Sequence, residues 1–194
     1  MVELTRRLGV IVLGACLLAC GGEAQQQSST AAKANPDALV LDDFKKRIES
    51  YTKMRNEAKD DAPALKETKD PAKIKAAQEA LATNIREARK DARAGDIFTP
   101  EIRAKFRQLM YPELKGEEGR QTKATIKEDA PDNVKFKVNA LYPEGDPLPT
   151  MPPNLLANLP KLPEHLEYRI IDKHLILRDV DANLIVDFIP NAIR

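Results

Sequence analysis

Two histidines, His165 and His174, are the side chains of this sequence best suited to bind a transition metal. They flank one predicted strand, and each has a carboxylate close by in the chain, Glu164 or Asp172. If a hairpin brings the two imidazoles together, either carboxylate would complete a ligand set that suits zinc or nickel. Isolated histidines are more often ordinary surface residues, so periplasmic metal binding or metal homeostasis is the alternative interpretation, and we expect no cofactor.

A second candidate for metal binding begins at Asp179. Asp179, Asp181 and Asn183 have the spacing that opens a calcium-binding loop. The sixth position of such a loop must be glycine and the twelfth a bidentate glutamate, but this chain has Leu184 and Pro190 there. Because Asp and Asn side chains bond their own backbone in tight turns, these residues predict a turn and no calcium site.

The common motifs of enzyme active sites are missing from the sequence. It contains no nucleophile motif, no metalloprotease helix motif and no glycine-rich phosphate loop. Catalysis would have to come from dispersed carboxylates. We therefore expect a protein that is not an enzyme and has no catalytic residues.

The thiol of Cys20 is a candidate for lipidation. Two arginines precede an apolar run from Leu8 to Ala19, as in a secretory signal. About 12 residues at about 1.5 Å each reach roughly 18 Å, short of the roughly 30 Å needed to span a bilayer. The stretch Leu17 to Cys20 resembles the lipobox of bacterial lipoproteins, whose signal is removed just before a cysteine that carries a diacylglycerol thioether. The resemblance implies that Cys20 is acylated, with fatty acids such as palmitate, and anchors the chain to a membrane.

Cys16 is a competing lipidation site, because Leu13 to Cys16 also fits the four-residue pattern. Three more apolar residues follow Cys16, whereas a polar, tether-like stretch follows Cys20, which favours Cys20. Both cysteines of the chain then lie in or at the end of the signal, so no disulfide is expected. Gly21 stands where aspartate would signal inner-membrane retention, and the resemblance therefore implies the outer membrane, with the chain facing the periplasm.

The charge balance bears on partners. The 194 residues include 31 basic and 30 acidic side chains, for a formal net charge of +1. Proteins that bind nucleic acids or anionic membrane surfaces usually carry an excess of basic residues, which this chain lacks. We therefore expect no nucleic acid as partner. The partner predicted instead is an unknown envelope protein.

Three amphipathic helices are predicted between Asn35 and about Met110. The first carries an apolar stripe that is broken once, by Arg55, and the second follows the cap at Asp70 and Pro71 and ends before Gly95. The third begins at the cap formed by Thr99. The predicted inner positions are Leu41, Phe44, Ile48, Tyr51 and Ala58, then Ile74, Ala77, Leu81, Ile85, Ala88 and Ala92, then Ile102, Phe106, Leu109 and Met110.

The sequence pattern that indicates secondary structure is weaker between residues 115 and 163. Gly116 to Gly119 predicts a turn, and Val134, Phe136 and Val138 alternate with lysines as in an edge strand. Seven prolines between Pro143 and Pro163 then impose extended or turn geometry on a leucine-rich stretch. We expect this stretch to wrap over the core, with one helical turn at residues 154–158, in preference to serving as an exposed proline-rich ligand.

The last block predicts a three-stranded antiparallel meander with turns at Asp172-Lys173 and Asp181-Asn183. One buried face is expected to contact Leu155, Leu159 or Leu162 and to consist of Tyr168, Ile170, Leu175, Leu177, Leu184, Val186 and Phe188. Truncation of Phe188 should then cost about 3 to 5 kcal/mol.

The predicted fold class is α+β: a helical hairpin with a third helix, a proline-rich wrapping segment and the C-terminal meander. The expected organisation is a signal peptide (1–19), a flexible tether (20–35), a helical region (36–112), an irregular, proline-rich segment (113–163) and a small sheet (164–194). The blocks ARAGDIFTPEIRAKFR, PPNLLANLPKLPEHLEYRII and HLILRDVDANLIVDFI resemble a family of uncharacterised bacterial exported proteins and lipoproteins. That resemblance implies a lipid-anchored envelope protein, and a non-catalytic interaction or structural role. The closing hairpin is also similar to small periplasmic domains of nickel and cobalt homeostasis, although no metal-ligand motif matches.

Overall fold

A computed structural model describes residues 35–62, 68–131, 136–143 and 145–193 of the chain. In chain order, the helices and strands are α1 (Pro36–Asp60), α2 (Pro71–Ala88), α3 (Pro100–Met110), a 3-10 turn (Tyr111–Leu114), α4 (Gly116–Glu128), α5 (Pro153–Ala157), β1 (Leu166–Ile171), β2 (His174–Asp179) and β3 (Leu184–Ile189). The α+β prediction is confirmed, with the helices first and an antiparallel sheet at the C-terminus.

The first three helices begin where the sequence predicts. The side chains of Asn35, Asp70 and Thr99 accept hydrogen bonds from the backbone N–H groups of Asp37, Ala72 and Ile102, and a proline follows each cap. A capping oxygen satisfies an N–H that has no partner within the helix, and proline there lacks a donor that would go unused. These caps fix the start of each helix.

The second helix is shorter and less buried than predicted. It ends at Ala88, and only Leu81, Ala82 and Ile85 are buried within it. Ile74 and Ala88, two predicted inner residues, are exposed, Ile74 by 45%, so these two predictions are wrong. The amide of Asn84 donates to the carbonyl of Ala58, which places the end of α1 against the C-terminal half of α2. The N-terminal half of α2 therefore extends beyond the end of α1.

Helix α4 is present where a turn was predicted. Gly116, with φ +65°, begins the helix, and Gly119 lies inside its first turn. A Cβ atom at Gly119 would come within 2.2 Å of the carbonyl carbon of Leu114, so only glycine permits this contact with the 3-10 turn. The prediction of a turn from these two glycines is wrong, because they mark a tight helix start.

The sheet is the predicted meander, with strand order β1-β2-β3. Leu166 pairs with Asp179 at one end of the β1–β2 ladder, and Ile171 pairs with His174 at the other. Asp172 and Asn183 have φ values of 53° and 51°, the left-handed region that Asp and Asn tolerate better than most residues. Both predicted turns are confirmed.

A β-bulge in β3 changes which side chains face the core. Leu177 pairs with Asp187 and Arg178 pairs with Ile185, so Val186 is an extra residue on β3. After the bulge the alternation is reversed: Ile189 pairs with Leu175 on the inner face, and Phe188 lies on the opposite face. The prediction for Phe188 is therefore wrong. The other six predicted members of the inner face do lie in the main core, together with Leu155 and Leu159.

A smaller apolar cluster covers the other face of the sheet. Its buried members are Tyr142, Ile171, Ile176 and Ile185, with Phe136, Leu148 and Phe188 packed around them. The sequence predicts an edge strand here, but residues 136–139 form none, so that prediction is wrong. They include a turn in which Asn139 has φ 64°. Val134 lies outside the described residues.

The segment after this turn runs along the free edge of β3. The N–H of Asn139 donates to the carbonyl of Ile185 and the N–H of Ile185 to the carbonyl of Ala140, each at 2.9 Å. Leu141 and Leu184 form an isolated bridge, and the N–H of Tyr142 donates to the carbonyl of Asn183. These bonds close the outer edge of β3 at residues 183–185.

Candidate functional site

The proposed lipidation residue, Cys20, and its competitor Cys16 lie outside the described residues. Lipidation at Cys20 accordingly stays a prediction. Within the described part of the chain, none of the helices combines the length and apolar character needed to cross a membrane.

The two histidines lie at opposite ends of the β1–β2 pair. His165 precedes the pair of Leu166 with Asp179, whereas His174 pairs with Ile171. The six residues of β1 separate the two levels, which at about 3.3 Å per residue is roughly 20 Å. One ion cannot bind both imidazoles in this arrangement. The described residues also contain no group of three His, Cys, Asp or Glu side chains placed to hold a metal.

Each histidine instead has a local partner. Nε2 of His165 lies 3.2 Å from the hydroxyl of Thr52 on α1, and Nδ1 of His174 accepts the N–H of Asn191 at 3.4 Å. Burial lowers the pKa of both imidazoles, and the charge of Arg55 lowers that of His165 further. Both are therefore held towards the neutral form.

Asp179 ties helix α1 to the sheet. Its carboxylate, which is fully buried, accepts hydrogen bonds from the hydroxyl of Tyr51 at 2.9 Å and from Nε of Arg55 at 3.2 Å. It also accepts the N–H of Ala182 at 2.9 Å, as in the predicted turn. Asp181 pairs with the same guanidinium. The predicted break in the α1 stripe is thus a buried arginine neutralised by two carboxylates.

Asp187 plays a comparable part on the neighbouring strand, β3. The bulge turns this residue inward, where it is fully buried. Its carboxylate accepts the backbone N–H groups of Gly95, Ile97 and Phe98 at 2.8 to 3.2 Å. Closely spaced backbone N–H groups of this kind form a concave anion site, and here a side chain of the same chain fills it. The carboxylate therefore fixes the loop between α2 and α3.

A cavity of about 540 Å³ lies between α1 and this loop. Its volume is within the range of pockets that hold small organic molecules. Apolar surface and charged groups both line it. The lining side chains from α1 are Arg47, Ser50, Tyr51 and Met54, and those from the end of α2 and the loop are Ala88, Arg89, Lys90, Asp91, Ala92, Asp96 and Ile97.

Arg89 is a charged residue of the cavity wall that makes several contacts with the rest of the fold. Its guanidinium donates to the side-chain carbonyl of Asn139 at 3.0 Å and to the backbone carbonyl of Val186 at 3.1 Å, and it lies 5.1 Å from the ring centre of Tyr51. Burial lowers the pKa of Arg89, although Tyr51, Asp187 and Asp96 oppose the shift. Arg89 is thus a partly buried cation that borders open space.

Comparison with known proteins does not assign the chain to a family. No family model, curated protein or solved structure matches it. The resemblance to exported bacterial lipoproteins therefore stays a prediction.

Sequence reasoning did not find the cavity, and the reason is specific. The sequence predicts that the second helix ends just before Gly95, which puts Arg89 and Lys90 within it as favourable charges near a helix end. The structure ends the helix at Ala88, and Arg89 becomes the first residue after it. Asp187, the one acidic residue in the apolar run of β3, was the available signal that this strand makes a polar contact in the core.

Proposed function

We propose that this chain is a lipid-anchored cell-envelope protein whose folded part is a non-catalytic protein-interaction or structural module. The anchor part of the proposal is supported by the apolar run, the lipobox-like stretch ending at Cys20 and the polar stretch after it. With acylation at Cys20, the chain would be held at the outer membrane on the periplasmic side. Two or more acyl chains make a stable anchor without help from a membrane-binding helix.

One observation supports the non-catalytic part of the proposal: the buried carboxylates are fully engaged in holding elements together. Asp179 joins α1 to the turn after β2, and Asp187 joins β3 to the loop after α2. A general acid or base must be able to reach a substrate. These two carboxylates instead accept several hydrogen bonds each from within the fold, which favours a structural role.

The metal-binding alternative has no such support. It needs His165 and His174 to meet, and the β1–β2 register holds them apart. We therefore do not propose a metal site at these residues.

The interaction proposal can be tested by photo-crosslinking in intact cells. A photoreactive amino acid would replace exposed residues on three different surfaces: Lys53 on α1, Ile74 on α2 and Lys173 in the turn after β1. A docking partner covers one surface and leaves others free, so we expect a discrete adduct from one or two of the positions and none from the remainder. The Cys20→Ala chain is the matched control, since a partner in the envelope should be reached only by the anchored protein.

Two results together would overturn the proposal. The first is the absence of any discrete adduct from all three positions. The second is a hydrolytic activity of the purified chain that single carboxylate replacements abolish, because that would reveal an enzyme with a dispersed acidic site.

A further inference from the structure

The charged side chains around the 540 Å³ cavity differ in their hydrogen-bond and ion-pair partners. Arg47 pairs with Asp43, and its guanidinium also donates to the backbone carbonyl of Asp96. The carboxylate of Asp96 accepts the N–H of Arg93. Arg89 differs from these residues, because both of its hydrogen-bond acceptors are neutral oxygens.

The contrast with Arg55 shows what Arg89 lacks. Arg55 is buried and forms ion pairs with Asp179 and Asp181. Among the described residues, Arg89 has no carboxylate within 4.0 Å, and Asp187 and Asp96 attract it only from farther away. A partly buried cation is costly without a counter-charge nearby. A guanidinium also has more N–H donors than the two that these bonds use.

We propose that the cavity binds a small organic anion, with its carboxylate or phosphate group held by Arg89 and Lys90. Planar guanidinium groups bind both oxyanions well, and Lys90, which lines the same cavity and is exposed, adds a second positive charge. Met54, Ala88 and Ile97 supply the apolar wall. The ligand is therefore expected to carry a short apolar part beside its charged group.

A second cavity of the protein makes a useful comparison. It has a volume of about 440 Å³ and is lined by α4, by Asp129 just after it and by residues 150–153. Its charged lining residues are Glu118 and Asp129, and no basic side chain is among them. The cavity at Arg89 is lined by three basic residues, Arg47, Arg89 and Lys90, and by two acidic ones, Asp91 and Asp96. An anion should thus prefer it to the second cavity, and this preference does not depend on whether Cys20 is lipidated.

The test is a titration of the full, isotopically labelled chain in detergent, followed by backbone amide NMR. Benzoate and phenyl phosphate serve as the two anions, and benzamide is the neutral analogue of benzoate. We expect one or both anions to bind with Kd below about 1 mM and to shift the amides of Ser50, Lys90 and Ile97, whereas benzamide binds at least about tenfold more weakly. The tighter of the two anions identifies the charged group that the site prefers.

Variants separate a charge effect from a loss of folding. Arg89→Gln also removes bonds to Asn139 and Val186, so the decisive variant is Lys90→Gln at an exposed side chain. It should weaken anion binding about threefold or more, and Lys53→Gln, outside the cavity, should leave Kd unchanged. Equal affinity for benzoate and benzamide, or no saturable shift with either anion up to about 10 mM, would overturn the proposal.

Discussion

At the scale of single residues, Asp187 shows how one polar side chain organises a distant loop. Its carboxylate accepts N–H groups from Gly95, Ile97 and Phe98, which lie about ninety positions earlier in the chain. A buried anion is stable only when several donors replace its water shell. The position of the α2–α3 loop, and with it one wall of the cavity, therefore depends on this residue.

Replacing Asp187 with asparagine should destabilise the protein strongly. The amide nitrogen that replaces one carboxylate oxygen would face N–H donors and leave buried groups without acceptors, at a cost of about 3 kcal/mol. Urea unfolding measures this as a lower midpoint with an unchanged slope. Asp96→Asn is the matched control, because Asp96 is exposed and accepts a single N–H from Arg93; its cost should be about 1 kcal/mol or less. Equal costs for the two variants would contradict the role assigned to Asp187.

Residue roles were predictable only where local chemistry decides them. The caps at Asp70 and Thr99 were predicted because a capping side chain acts within its own helix turn. The partners of Arg55 and Asp187 are distant in sequence and were not predicted. A single sequence shows that such a residue interrupts an apolar pattern, but not what it binds.

At the scale of elements, the bulge in β3 determines which of its side chains pack in the main core. Ile189→Ala should cost about 2 to 5 kcal/mol, because Ile189 is fully buried on the inner face. Phe188→Ala should cost clearly less, since Phe188 is half-buried against Phe136 on the other face. Thermal and urea unfolding of the two variants give the comparison. A Phe188 variant that is less stable than the Ile189 variant would contradict the faces assigned to these two side chains.

Helix α4 was missed for a related reason. Few of its residues face the core, since Gly119 and Ile126 are its only buried residues that the structure describes. Two glycines within four residues normally indicate a turn. Here the second glycine is required because its backbone lies too close to Leu114 to leave room for a side chain. That contact exists only in the folded protein.

At the scale of the whole molecule, the proposed anchor makes a prediction about the two cysteines. Labelling cells with a radioactive fatty acid should mark the parent chain and the Cys16→Ala variant but not Cys20→Ala, which should accumulate as a larger, unlipidated precursor. Alanine at position 16 keeps the apolar run intact, so it serves as the matched control. Label that persists in Cys20→Ala and is lost in Cys16→Ala would identify Cys16 as the lipidated residue. Label in none of the three chains would refute the anchor.

The overall architecture was largely predictable, because it follows from strong local patterns. Helical periodicity, three caps and a block of alternating residues fix the order of the elements. The way these elements meet was not predictable, since the offset of α2 along α1 and the pairing of residues 139–142 with β3 depend on contacts between distant parts of the chain. The cavity is a product of those contacts, which is why it had no signature in the sequence.

The pairing of residues 139–142 along β3 has a consequence for how the protein behaves among copies of itself. An open strand edge is a template on which another chain can add, and this is a common start of aggregation. Copies confined to a membrane surface, as proposed for this protein, meet far more often than copies in free solution. Because its own chain already occupies the β3 edge at residues 183–185, the sheet offers crowded neighbours no free backbone there on which to grow.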